Sequence, residues 1–264
     1  MFVIDECHII PLYGPQYRPS LLRLPSIHRE LDPERTLLLT ATATEEWLQD
    51  LSHAFQIPET GIFRTSVYRP NLSLQVKEVG CHEEQYLQLV EALRRKTAPG
   101  VVIVYVNRRR QAEKITLRLK QEKDLPFEKF DPYHARLHSK IRNRVQDEFT
   151  TVSQQKMVVV ATKAFGMGLN KSCVRQVIHY NASLHPSEYL QEVGRAGRDN
   201  QNSQCLTLLN PLDIYHNETK TRSFQTTVEN VMGWLQELPR TAGRIFRIDT
   251  WKQAMKYDME VNIS

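Results

Sequence analysis

VVIVYV, at residues 101–106, is an unbroken apolar run. A strand that is apolar at every position is expected to be buried on both faces, as in the parallel sheets of α/β proteins. Three further strands are predicted at residues 157–161, 176–180 and 205–209, with helices between them at 111–121, 139–149 and 187–193. Strands that alternate with helices predict the α/β class and a doubly wound parallel sheet.

A shorter strand–helix series precedes this one. Residues 1–4 and 36–39 are predicted as strands, and residues 20–31 and 45–55 as helices, before a linker at 58–71 that contains proline and glycine. Two strands rarely make a stable sheet by themselves. We therefore expect residues 1–71 to be the remnant of one domain with its linker, residues 72–213 to be a second domain, and residues 214–264 to be a helical tail.

Composition narrows the functional class. No apolar run among the 264 residues approaches the roughly 18 that span a bilayer, and no signal peptide is visible, so we expect neither membrane association nor secretion. The four cysteines form no C-x-x-C pair, so no zinc site is evident and free thiols are expected. The net charge of +5 is compatible with a nucleic-acid partner but does not establish one.

Two carboxylates and an imidazole follow the first predicted strand, as Asp5-Glu6-Cys7-His8. Ligands of open α/β sheets bind at the carboxyl ends of the strands. In a motor that hydrolyses a nucleotide, the first carboxylate holds Mg²⁺ and the second activates the attacking water. A surface turn is the structural alternative for this stretch. A helix N-cap is the alternative for the threonine-rich stretch TATAT at residues 40–44.

Two further motifs lie later in the chain. ATKAFGMGLN at residues 161–170 follows a buried strand, and QEVGRAGRD at 191–199 lies downstream of it. Gly166 and Gly168 would allow close approach of a phosphate. Arg195 and Arg198 are three residues apart, so on a helical turn they face the same way and suit a γ-phosphate. A plain turn and a surface salt-bridge pair are the structural alternatives.

Taken in order, these motifs resemble those of superfamily 2 helicases. Together with YRPNL at 68–72, NRR at 107–109 and YHA at 133–135, they resemble the RecQ family of DNA helicases, and its Rothmund–Thomson-type branch in particular. The resemblance covers residues 1–213. It implies a RecA-like fold, ATP and Mg²⁺ as cofactors, single-stranded or forked DNA as partner, and unwinding in the 3′-to-5′ direction.

The resemblance also assigns roles to matching residues. Asp5 would hold Mg²⁺ together with the nucleotide, and Glu6 would activate water. The remaining catalytic positions match His8, Gln191, Arg195 and Arg198, the last as an arginine finger. Gly168 and Asn170 match nucleotide-contacting positions. The DNA-binding candidates are Tyr13, Tyr17, Arg18, Asn107, Arg108, His134 and Thr162, and other basic side chains, up to Arg144, could follow a phosphate backbone.

The sequence departs from the family in two places. The aromatic loop reads YGPQYR at residues 13–18, where Pro15 and Gln16 replace a polar pair. No G-x-x-x-x-G-K-[ST] loop is present, so we expect the isolated chain to hydrolyse ATP poorly or not at all. Three hypotheses remain: a partial copy of a helicase of DNA replication, recombination and repair, a short nucleic-acid-binding product without catalysis, or a decayed copy. We expect nuclear residence in a eukaryote and cytoplasmic residence otherwise.

Overall fold

The computed structural model describes residues 1–14, 18–95, 100–151, 156–165, 173–183 and 185–215. The chain divides into two compact units, Met1–Pro211 and Leu212–Ser264. The fold and the candidate site lie in the first unit. The domain boundary expected at residue 71, within this unit, stays a prediction. The predicted helical tail lies outside the described residues apart from residues 214 and 215. No described helix is long and apolar enough to cross a membrane.

The first strands along the chain form a small parallel sheet of β1 (Phe2–Ile4) and β2 (Thr36–Leu38). One face packs on a core that includes Cys7 and Phe55. The other face is open, since Val3 and Leu37 are 47% and 46% exposed. The helices of this part are α1 (Ile9–Tyr13), α2 (Leu24–Leu31, after a 3₁₀ turn at Pro19–Arg23) and α3 (Glu45–Ala54).

A six-stranded sheet follows the linker, and every neighbouring pair of its strands is parallel. The spatial order is β3-β8-β7-β4-β6-β5. The prediction of a parallel α/β sheet is therefore confirmed. The strands are β3 (Leu72–Glu78), β4 (Val101–Tyr105), β5 (Lys129–Tyr133), β6 (Met157–Ala161), β7 (Val174–His179) and β8 (Ser203–Leu209).

Successive residues of the central strands face two separate cores, which is why these strands are apolar throughout. Val102 and Val104 lie in one core with Leu93 and Leu119, whereas Ile103 lies in the other. Helices therefore cover both faces: α4 and α5 pack on one, and α6 and α7 on the other. Their bounds are α4 (His82–Arg94), α5 (Arg109–Gln121), α6 (Ser139–Thr151) and α7 (Pro186–Val193).

The strands β3 and β5 and the helices α1 and α4 escaped prediction. Strand β5 reads KFDPY, and its charges and Pro132 are untypical of a strand. It lies at the edge of the sheet and, among the strands that the structure describes, pairs only with β6. A proline is tolerated at such an edge. Helix α1 has five residues, too few for a helical period to be recognised in the sequence.

Candidate functional site

The predicted site residues lie beyond the carboxyl ends of parallel strands. Because the strands within each sheet run the same way, these ends meet at one edge of that sheet. At the small sheet the edge carries Asp5, Glu6, His8 and Thr40. At the six-stranded sheet it carries Asn107, His134, Thr162 and the segment leading into α7.

The carboxylate turn after β1 is exposed and has an unusual backbone. Both Asp5 and Glu6 are open to solvent. Glu6 has φ 52°, in the left-handed region that side chains other than glycine rarely adopt. The backbone N–H of Glu6 donates to Oδ1 of Asp5 at 2.9 Å, which holds the two carboxylates on one short turn.

His8 is the centre of a hydrogen-bond network. Its ring is buried, with Nδ1 3.0 Å from Oγ1 of Thr40 and 3.3 Å from Oε2 of Glu6. On its other side, Nε2 lies 3.0 Å from the side-chain amide nitrogen of Gln191 on α7. The distances fit a neutral ring that donates from Nδ1 and accepts at Nε2. His8 therefore connects the small sheet to the helix that precedes the two arginines.

Two threonines of the stretch TATAT make structural hydrogen bonds. Oγ1 of Thr40 also accepts from the backbone N–H of Thr42 at 3.2 Å, which holds the hydroxyl against His8. Thr44 is the N-cap of α3, where its side chain accepts from the backbone N–H of Trp47. The helix-cap alternative is thus correct for Thr44, whereas Thr40 belongs to the His8 network.

We expect acidification to destabilise the fold through His8. Burial lowers the pKa of His8 below its ordinary value of 6.5, and the nearby Glu6 carboxylate opposes this shift without cancelling it. Below pH 6.5 the unfolded chain binds a proton at this ring before the folded chain does, so stability falls as the pH drops towards the folded pKa. Unfolding free energies at pH 8 and pH 5.5 should therefore differ less for His8→Gln than for the parent chain. An equal loss of stability between pH 8 and pH 5.5 in His8→Gln and in the parent chain would contradict the assignment of this pH dependence to His8.

The turn after α7 carries both arginines. Arg195 is half-buried and Arg198 is exposed. Although the residue as a whole is exposed, surrounding atoms desolvate its guanidinium and lower the pKa of Arg198 below its ordinary value. The positive charges of Arg195 and Arg69 lower this pKa further. Three guanidinium groups thus lie close enough to repel one another, and an anion bound here would relieve that repulsion.

Helix α7 is held to the sheet by a buried polar cluster. Nε2 of His179 lies 2.9 Å from Oε2 of Glu192, and Oγ of Ser183 donates to the same oxygen at 2.7 Å. The His179 ring stacks on Tyr105, with the ring centroids 5.5 Å apart. The hydroxyl of Tyr105 donates to the carbonyl of Phe165 at 3.3 Å. This cluster orients the helix that presents Gln191.

The linker contacts the arginine turn directly. Nη1 of Arg69 donates to the carbonyl of Gly194 at 3.0 Å, and Nη2 donates to the carbonyl of Gly197. Nδ2 of Asn71 donates to the carbonyl of Gly197 at 2.9 Å and to that of Gln201 at 3.0 Å. Sequence analysis placed Arg69 and Asn71 in a domain-joining stretch and did not count them among the site residues.

The DNA-binding candidates have different surroundings. Asn107 and Arg108 are exposed where α5 begins, and the backbone N–H of Asn107 donates to Oδ1 of Asn181 at 3.2 Å. Thr162 is half-buried after β6, and Arg18 is exposed. His134 is buried, and its Nε2 lies 3.0 Å from Oε1 of Glu113. A role of His134 in DNA binding stays a prediction.

Other predicted residues are engaged elsewhere or lie outside the description. Nη2 of Arg144 donates to Oδ1 of Asp131 at 2.7 Å, so this basic side chain is committed to a carboxylate within the fold. Tyr13 belongs to α1, and its side chain is outside the described structure. The predictions for Tyr17, Gly168 and Asn170 fall outside the described residues.

Comparison with protein families and curated proteins gives consistent matches. Residues 84–200 match the family model described as "Helicase conserved C-terminal domain". The chain is 32% identical over 244 residues to the "Probable ATP-dependent DNA helicase RecS" of Bacillus subtilis (strain 168), which covers 92% of this chain and 48% of that protein. It is 34% identical to the "ATP-dependent DNA helicase RecQ" of the same strain, over 81% of this chain and 35% of that protein. The chain thus spans half or less of the length of these relatives.

Solved structures share the fold. The chain superposes on the Dbp5 protein of Saccharomyces cerevisiae, solved with RNA and ADP BeF3, with a TM-score of 0.62 at 18% identity. The superposition covers 84% of this chain and 56% of that one. At this identity the likeness concerns the fold alone, and it supports the RecA-like arrangement of the parallel sheet.

Proposed function

This chain belongs to the RecQ family of DNA helicases, and from that premise we propose that it forms the part of an ATP-driven motor that grips DNA and contacts the terminal phosphate of the nucleotide. The inferred activity is ATP-dependent unwinding of DNA in the 3′-to-5′ direction, acting in replication, recombination and repair. Single-stranded or forked DNA is the proposed partner, and ATP with Mg²⁺ the proposed cofactors. Nuclear residence, for a eukaryotic source, stays a prediction.

The contact between His8 and Gln191 carries the proposal. It links two residues that are 183 positions apart, one in the turn after β1 and the other on α7, at 3.0 Å. Through His8 the network reaches the carboxylate of Glu6, and through α7 it reaches the turn of Arg195 and Arg198. Hydrogen bonds therefore join Thr40, His8 and Gln191, with the Glu6 carboxylate beside His8 and the arginine turn directly after the helix of Gln191.

The chemistry of these side chains fits a bound nucleotide. Within the described part of the chain, no group of three or more histidine, cysteine, aspartate or glutamate residues could hold a metal ion. Mg²⁺ is usually bound by one or two carboxylates together with substrate phosphates, so Asp5 suits an ion that arrives with ATP. Bound ATP supplies the phosphoryl group that is transferred to water.

Each remaining residue has a defined task in that step. Glu6 orients the attacking water and accepts its proton, while the ring of His8 lies beside this carboxylate, with Nδ1 3.3 Å from Oε2. Arg195 and Arg198 neutralise the charge that develops on the transferred phosphoryl group, with Arg198 as the arginine finger. When the phosphate leaves, repulsion between the guanidinium groups returns.

The start of α5 is the proposed DNA contact. Arg108, Arg109 and Arg110 are all exposed there. The positive end of the helix dipole adds to their charge, and backbone phosphates are the usual targets of such a surface. Asn107, immediately before them, could bond to a sugar or a phosphate.

We expect the chain to bind single-stranded DNA with an affinity that falls as salt rises. The double variant Arg108→Gln/Arg109→Gln should weaken binding and reduce the slope of log K against log salt by about 1.4, the value for two lost phosphate contacts. Fluorescence anisotropy with labelled oligothymidine between 50 and 200 mM salt measures both quantities. Arg118→Gln is the matched control on the same helix, because Arg118 instead pairs with Glu83. Equal slopes in all three proteins would reject this surface.

ATP hydrolysis, with and without that DNA, separates the two candidate functions. A rate that depends on DNA and is lost in Glu6→Gln would support the motor and contradict the expectation of weak hydrolysis. DNA binding without hydrolysis would favour the second candidate, a nucleic-acid-binding chain without catalysis, which the exposed arginines of α5 also favour. Absence of DNA binding would contradict both.

A further inference from the structure

The last residues of the linker surround the arginine turn with hydrogen bonds. Arg69 donates to the carbonyls of Gly194 and Gly197, which stand immediately before the two arginines. Asn71 donates to the carbonyls of Gly197 and Gln201. In return, the backbone N–H of Ser203 donates to the carbonyl of Asn71 at 2.9 Å. The linker thus bonds to the turn before, between and after its two arginines.

The turn needs such contacts because it has little regular structure of its own. Helix α7 ends at Val193 with Gly194 as its C-cap, and the last carbonyls of a helix lack partners further along it. A guanidinium at this negative end satisfies a carbonyl and interacts favourably with the helix dipole. Its planar fork matches two carbonyls at once, which a lysine cannot reproduce.

The backbone at Gly197 leaves room for the side chain of Asn71 because glycine has no Cβ. Gly197 has φ +55°, and a Cβ at this position would lie 2.5 Å from Nδ2 of Asn71. The N–H of Gly197 donates to the carbonyl of Val174 on β7 at 2.9 Å. The turn is therefore fixed between the sheet on one side and the linker on the other.

We propose that Arg69 and Asn71 are positioning residues, which hold the turn so that Arg195 and Arg198 face the nucleotide and which tie that turn to the linker. The proposal rests on the proposed function, since it assigns the arginines to a phosphate. It implies that a shift of the linker, which connects the small sheet to the six-stranded sheet, moves the arginines as well. Neither residue needs to touch the nucleotide.

The first test observes the arginines directly in the full chain. Arg69→Lys keeps the charge but cannot donate to both carbonyls, and Asn71→Ala removes two hydrogen bonds without changing the charge. In ¹⁵N spectra of the arginine Nε–Hε groups, both variants are expected to shift the Arg195 and Arg198 signals. Exchange of the Gly197 amide proton should accelerate about tenfold, as expected for the loss of one charge-assisted hydrogen bond.

Arg64→Lys is the matched control. Arg64 lies in the same linker, and its guanidinium pairs with exposed Glu45, away from the turn. The proposal would be overturned if the Arg195 and Arg198 signals of Arg69→Lys and Asn71→Ala coincided with those of Arg64→Lys. The spectra need no nucleotide, so this outcome does not depend on ATP binding. Should Arg69→Lys fail to fold, Asn71→Ala still decides.

The second test uses Mg·ATP. Binding to the parent chain should weaken about tenfold in Arg69→Lys and stay unchanged in Arg64→Lys. An unchanged affinity of Arg69→Lys for Mg·ATP would contradict the proposal that Arg69 positions the arginine turn. If the parent chain does not bind Mg·ATP, the proposed function fails, while the spectra still decide whether Arg69 and Asn71 hold the turn.

Discussion

Gly197→Ala is expected to lower the free energy of unfolding by about 2–4 kcal/mol. The residue has φ +55°, where a side chain is strained by itself. The added Cβ would also lie 2.5 Å from Nδ2 of Asn71, 2.7 Å from the carbonyl of Gln201 and 2.9 Å from Oγ of Ser203. Two of these neighbours are fixed by their own hydrogen bonds, and the third is backbone. The arginine turn would have to move.

Chemical denaturation of the full chain measures this loss, and Gly80→Ala is its control. At Gly80 an added Cβ would meet, among the described atoms, only Oε2 of Glu84 at 3.3 Å. This exposed side chain accepts from the Gly80 N–H and needs to shift only slightly to make room. We expect Gly80→Ala to stay within about 0.5 kcal/mol of the parent chain, as for most surface substitutions. Comparable losses in the two variants would show that the turn is not tightly fixed.

Glu192→Ala is expected to cost about 2–4 kcal/mol of stability. Oε2 of Glu192 accepts from Nε2 of His179 and from Oγ of Ser183, and the His179 side chain is only 1% exposed. Nδ1 of His179 has no hydrogen-bond partner within the described structure, so the substitution would leave both nitrogens of a buried ring unsatisfied. The loss should also disturb Gln191, the preceding residue of α7.

Glu83→Ala is the matched control for Glu192. The carboxylate of Glu83 also accepts two hydrogen bonds, both from Arg118, but it lies at the surface of α4. Water replaces lost partners there, so a much smaller change in unfolding free energy is expected. In Glu192→Ala the His8 ring signals should shift as well. If the two variants were equally stable, the buried cluster would not be what holds α7.

Strands with a strong local sequence pattern were predicted correctly, and strands with a weak pattern were missed. Strands β4 and β6 are buried on both faces, so apolar residues at every position were sufficient to predict them. The edge strand β5 has a single neighbour and tolerates Pro132, which hides it from such a pattern. The order of the motifs identified the family, because seven short patterns in one order are far more specific than any one of them.

Contacts between distant segments could not be predicted. Motif order placed His8 and Gln191 in the same site, but the bond between them depends on how the small sheet meets α7. Arg69 and Asn71 appeared as polar residues beside a proline in a linker, a setting that favours a solvated loop. Arg144 looked like a phosphate contact because its partner Asp131 belongs to β5, which was not predicted.

The left-handed backbone at Glu6 has a consequence for protein engineering. Asparagine and glycine adopt φ 52° more readily than glutamate, by roughly 1 kcal/mol for glycine. A library screened only for heat resistance would therefore enrich asparagine or glycine at position 6. The best-surviving clones would then lack the carboxylate that we propose activates water. Thermostabilisation of this chain should leave that position out of the randomised set.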